Sequence, residues 1–190
     1  MTPALRFHSL LAAAALAFAL QPLPAVAQAP DHDGQHDFDF EIGTWKTQVS
    51  RLVKPLSGST TWVELEGTSV IRSLLDGRAN LVELDISGTS GRIQGLSLRL
   101  YDPRSRQWSI RFASAADGEL GVATVGAFKN GRGEFYDQET FAGRAILVRN
   151  VFSEIGAERY RFEQAFSDDG GKTWEVNWIA VDTRIRDGRG

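Results

Sequence analysis

Cysteine is absent from the 190 residues, and histidine occurs three times, at His8, His32 and His36. From residue 37 onward the chain therefore offers neither thiol nor imidazole. Ser-His-Asp and Cys-His machinery and the common zinc sites are excluded from that part of the chain. Disulfides and an anchor through a lipidated cysteine are excluded as well. Long apolar runs are also missing. The longest, Leu10 to Leu20, falls short of the roughly 20 residues that span a bilayer. No glycine-rich phosphate loop leads from a strand into a helix, and Gly95-Leu96-Ser97-Leu98 lacks the closing glycine of a nucleophile elbow. Lys and Arg number 21 against 24 Asp and Glu, and the basic residues are scattered, which argues against nucleic acid as a partner.

What is present begins with a leader. Arg6 gives a short basic start, Leu10 to Leu20 an apolar centre, and Ala25-Val26-Ala27 a small-x-small cleavage site. Residues 1–27 read as a secretory signal peptide, so the remainder is expected to be soluble, in a bacterial periplasm or the medium. Residues 28–36, QAPDHDGQH, read as a flexible polar tail. Within and beside the tail, His32 and His36 with Asp31, Asp33 and Asp37 have the donor types of a transition-metal site. A solvated acidic tail is the plainer reading, and no metal is expected.

Residues 37–186 read as one domain of short alternating runs separated by turn residues, with no helical periodicity. Pro55 with Ser57-Gly58-Ser59, Asp76-Gly77, Ser87-Gly88, Asp102-Pro103, Asp117-Gly118, Asn130-Gly131, Gly143 and Gly156 mark the turns. The expectation is an all-β fold, a single antiparallel up-and-down barrel of about ten strands. Eight strands already enclose a small ligand, so ten leave a cavity unless large side chains fill it.

The run Asp37 to Lys46, DFDFEIGTWK, is the anchor of this reading. Phe38, Phe40 and Ile42 precede a bend at Gly43, and Trp45 opens the first strand. Arg184 stands where the last strand returns beside the first, so its guanidinium is placed over the Trp45 ring. With Gly43, Trp45, Lys46 and Arg184 in these positions, residues 37–186 resemble the lipocalin-like (calycin) barrels. They resemble more closely a bacterial family of exported lipocalin-like domains without assigned function. The resemblance implies a barrel holding a small, mostly apolar molecule, with Gly43, Trp45 and Arg184 closing one end. The short link after the first strand leaves no room for the helical lid of intracellular fatty-acid carriers, and the chain stops soon after the last strand.

Three sets of residues are candidates for function. Tyr160, Phe162, Gln164 and Phe166 alternate on one late strand, and Trp174, Val176, Trp178 and Ala180 on the next. With Asn150 they form either filled core or an apolar pocket with polar hooks. The expected ligand-binding set is Asn150, Tyr160, Phe162, Gln164, Phe166, Trp174 and Trp178. Asp137 and Glu139 share a face with Phe135 and Phe141, two strand rises apart, and could work as acid and base if burial and repulsion raise one of them. Pairing with Arg149 or Arg99, or plain exposure, is the alternative. Ser167 to Trp174, SDDGGKTW, resembles the Asp-box of sialidases, whose role there is to staple a hairpin.

The functional expectation is an exported binder of a small apolar or amphipathic molecule, without cofactor. A cofactor-free enzyme using Asp137 and Glu139 on a glycan or lipid-derived substrate is the second reading. A dimeric interaction module, with Ala145 to Val151 apolar on both faces, is the third.

Overall fold

A computed structural model describes residues 32–186, and the expected signal peptide and residues 28–31 lie outside the described residues. Ten antiparallel strands follow in order: β1 (Gly43–Leu52), β2 (Trp62–Leu74), β3 (Ala79–Gly88), β4 (Gly91–Asp102), β5 (Gln107–Ser114), β6 (Thr124–Lys129), β7 (Arg132–Phe141), β8 (Arg144–Ser153), β9 (Arg159–Ser167) and β10 (Glu175–Arg184). Each pairs with its neighbours in sequence, and β1 pairs with both β2 and β10, so the sheet closes into a barrel with no free edge. The fold class is all-β and lipocalin-like. Among the described residues the helical content is two 3₁₀ turns, Asp39–Glu41 and Leu75–Gly77, and no helix is long and apolar enough to cross a membrane.

One end of the barrel is filled. Phe38, 1% exposed, stands with its ring centroid 5.1 Å from Trp108, 4.8 Å from Phe128 and 5.1 Å from Phe152, all edge-on. Trp45 is fully buried, edge-on to Tyr160 at 4.8 Å, and its indole Nε1 donates to the Glu41 carbonyl at 2.6 Å. The Arg184 guanidinium lies 4.1 Å over the Trp45 ring and donates to the carbonyls of Phe40, Ile42 and Ala157. Gly43 has φ +129°, and a Cβ there would meet Arg184 Nη1 at 2.7 Å. Glycine at this position is thus what lets the guanidinium reach the Phe40 and Ile42 carbonyls.

The filled end extends further toward the N-terminus than the reading of 28–36 as a loose tail. Gly34 is buried, its carbonyl accepts from Trp108 Nε1 at 2.8 Å, and the Tyr101 hydroxyl donates to the Asp33 carbonyl. Backbone groups flanked by polar side chains here satisfy buried indole and phenol donors, which composition does not reveal.

Candidate functional site

Above the aromatic floor the barrel is hollow, with a cavity of about 370 Å³. Its walls are apolar: Val49 from β1, Val82 and Leu84 from β3, Ile93 from β4, Ile110 and Phe112 from β5, Phe152 from β8, Phe162 from β9, and Trp178 and Ala180 from β10. Strand alternation puts these side chains inside and their neighbours outside. Phe112, 41% exposed though inward-facing, stands where the cavity meets solvent.

Polar groups gather at one place on this lining. Arg99, on β4, is 6% exposed and forms an ion pair with Glu41, which is fully buried in the 3₁₀ turn beneath it. The guanidinium carbon also lies 4.4 Å from the Phe38 ring centroid and 5.2 Å from that of Phe152. Burial draws the Arg99 guanidinium down to about 10, still far above neutrality, so it remains charged. Asp182, 3% exposed, accepts from the Thr47 hydroxyl at 2.5 Å, and Thr47 shares a 2.6 Å hydrogen bond with Ser69. Burial raises Asp182 to about 6 against the pull of Thr47, Tyr160 and Arg99. Burial, and then the Asp182 charge, hold the Tyr160 phenol far above its ordinary range, so Tyr160 is neutral.

Not every polar atom here has a partner. Glu41 Oε1, Arg99 Nε and Asn150 Oδ1 are buried without a hydrogen bond among the described residues, while Glu41 Oε2 and Arg99 Nη1 are held in the ion pair. Asn150 Nδ2 is spent on the Thr124 hydroxyl at 3.2 Å. Glu41, Arg99 and Asn150 all border the cavity, with these atoms set just behind its surface.

Asn150, Tyr160, Phe162, Gln164 and Trp178 line this cavity. Phe166 instead lines a second cavity of about 390 Å³, with Arg51, Phe141 and Asn177, while Gln164 and Trp178 border both. Trp174, expected on the inner face, stands outside. The β10–β9 register shifts between Val176 and Trp178, so Val176 pairs with outward-facing Ala165 while Trp178 and Ala180 stay inward. This bulge inverts the alternation that placed Trp174 with Trp178. Trp174 instead packs on Arg149, whose guanidinium is 4.5 Å above its ring, and lies 6.1 Å from the ring of Tyr136. It caps a hairpin in which Asp169 accepts from the backbone N–H groups of Lys172 and Thr173 and from the hydroxyls of Ser167 and Thr173. Those bonds, that of the Thr173 amide first, hold Asp169 well below the usual carboxylate range.

Asp137 and Glu139 line neither cavity. Neither of the arginines considered as partners serves Asp137, because Arg149 covers Trp174 and Arg99 pairs with Glu41. Both Asp137 oxygens are buried without a hydrogen bond of good geometry, and desolvation, followed by the nearby Glu139 charge, raises Asp137 to about 7. Folded Asp137 therefore binds its proton more tightly than the unfolded chain, and its contribution to stability falls as pH rises from its ordinary value near 3.8 to about 7. Asp137→Asn is expected to melt higher than the parent above about pH 7 and to converge with it near pH 4, as thermal denaturation across pH would record.

In the tail whose donor types suit a transition metal, His32 Nε2 meets Asp37 at 2.5 Å and His36 Nδ1 meets Asp39 at 2.8 Å. Among the described residues no three metal-ligating side chains come together, and Asp31 lies outside them. On β8, Ile146, Val148 and Phe152 face inward, and the outward Val151 is buried as well, 3% exposed. Large apolar groups are exposed instead at Leu96 and Leu100 on β4, Val125 on β6 and Tyr136 on β7.

Sequence reasoning missed Glu41, Arg99 and Asp182. Leu96, Leu98 and Leu100 look like the buried face of β4, yet Leu96 is 43% and Leu100 40% exposed while Arg99 is buried. The usable signal was Tyr101, which shares the Arg99 face and pairs with inward Trp108 on β5.

No family model matches the chain, and no curated protein matches it by sequence. Among solved structures it is similar to the S-type phycobiliprotein lyase CPES from Guillardia theta, with TM-score 0.56 and 11% identity over 80% of this chain and 93% of that one. A redesigned β-barrel aligns with TM-score 0.43 and 10% identity over 80% of this chain and 96% of its own. A protein of unknown function from the DUF3598 family of Nostoc punctiforme aligns with TM-score 0.22 and 7% identity over 80% and 99%. The likeness to the lyase is one of fold alone.

Proposed function

We propose that this barrel is an exported binding protein that takes a small apolar or amphipathic molecule into its interior, without a cofactor. One observation carries the reading. A cavity of about 370 Å³ with apolar walls and a few convergent polar groups is the form of a small-molecule site, and an all-aromatic core would have filled it. The leader at residues 1–27 supports export to a bacterial periplasm or the medium, and the Gly43, Trp45 and Arg184 closure supports kinship with the exported lipocalin-like domains. The alternative enzyme loses ground because Asp137 and Glu139 do not line the cavity, so a molecule inside it would not meet them. Dimerisation through β8 loses ground because Ile146, Val148 and Val151 are already buried.

Ala180→Phe tests the proposal. Ala180 lines the cavity and is 6% exposed, so a phenyl ring there occupies the space of the ligand. Overpacking costs about 1–3 kcal/mol, which a barrel of this size survives. The expected outcome is a folded variant whose affinity for Nile red, a neutral apolar dye, falls roughly tenfold or more. Unchanged dye binding by a folded Ala180→Phe barrel would place any ligand elsewhere.

A further inference from the structure

Building on the binding reading, we infer that the end of the ligand buried at the Glu41–Arg99 site is a hydrogen-bond donor without negative charge, a hydroxyl or an amino group, and that a free carboxylate is rejected. Three charged side chains line this part of the cavity: Glu41, Arg99 and Asp182. Arg99 is the one cation among them, and Glu41 is in direct ion contact with it. The remaining carboxylate, Asp182, leaves the lining with an excess of negative charge whenever it is ionised. Its other polar neighbours, Thr47, Ser69 and Tyr160, are neutral. In a cavity of low dielectric, a second anion placed beside Glu41 and Asp182 is repelled more strongly than it would be in water.

The unused atoms point the same way. Glu41 Oε1 and Asn150 Oδ1 are acceptors without a hydrogen bond, set against Arg99 Nε as the one donor of the ion pair without one, since Arg99 Nη1 and Glu41 Oε2 hold each other. Glu41 is fully buried and Arg99 and Asn150 nearly so, and all three line the cavity. A hydroxyl can donate to Glu41 or Asn150 and accept from Arg99, and an amino group can donate to both acceptors. A carboxylate can answer Arg99 alone, leaving the buried acceptors unpaired beside a like charge. This arrangement differs from a lone buried arginine, which would capture an acid.

The test is competition for the cavity of the full chain by decanol, decylamine and decanoate against bound Nile red, at neutral pH and below micelle-forming concentrations. The alcohol and the amine are expected to displace the dye at concentrations roughly tenfold or more below that needed by the acid. The better of the two tells a hydroxyl from an amino head. Removing one negative charge, by Glu41→Gln or Asp182→Asn, is expected to narrow or reverse the gap by improving decanoate. Two variants are used because Glu41→Gln leaves a buried arginine uncompensated and puts folding at risk. Decanoate competing as well as decanol in the parent, or a gap unmoved in whichever variants fold, overturns the inference and leaves the binding reading standing. Failure of the parent to take up Nile red at all overturns both.

Discussion

Trp45→Ala is expected to lower the unfolding free energy by about 3–5 kcal/mol, the range for truncating a large buried aromatic side chain. Trp45 is fully buried and reaches three parts of the chain at once: Tyr160 on β9, the Glu41 carbonyl in the 3₁₀ turn, and Arg184 at the end of β10. Its removal leaves a void, frees a buried carbonyl, and takes away the ring on which the Arg184 guanidinium rests. Because Trp45 and Arg184 are register partners across the β1–β10 seam, the loss falls where the sheet closes on itself. Urea unfolding measures the effect as a lower midpoint at unchanged slope. A loss below about 1 kcal/mol would mean that the seam holds without the indole.

The second large effect comes from the buried ion pair. Arg99→Met keeps an apolar stem of similar reach but strands Glu41, which is fully buried and loses the guanidinium that pairs with it. Breaking a buried pair from one side typically costs about 3–5 kcal/mol. Replacing both partners, as Glu41→Leu with Arg99→Met, is expected to restore most of that loss, because two desolvated charges are exchanged for apolar contact with Phe38 and Phe152. A double variant as unstable as the sum of the two singles would show that the pair is not coupled. In the same double variant Asp182 is the one charged group left on this lining, so decanoate is still expected to compete less well than decanol.

Much of the barrel could be read from alternation and turn chemistry. The residues 37–46, Asn130-Gly131 and the inward trio Trp108, Ile110 and Phe112 each have a local signal that agrees with the observed strand or turn. The site was legible where alternation runs unbroken, as on β9, where Tyr160, Phe162 and Gln164 line the first cavity and Phe166 the second. It failed on β10, because a bulge at Asn177 reverses the faces and nothing in the local composition announces it. It failed on β4 for a different reason. Three leucines outside and one arginine inside invert the usual partition, and only the distant Glu41 makes that inversion tolerable. Pairings between residues 58 positions apart are outside the reach of periodicity.

Native mass spectrometry of the full chain, purified from its own source, tests the central claim most directly. The predicted spectrum shows the chain with one small non-covalent adduct, and the same preparation of Ala180→Phe shows the bare chain. Parent and variant both appearing at the bare mass, with neither taking up added decanol, would contradict the account.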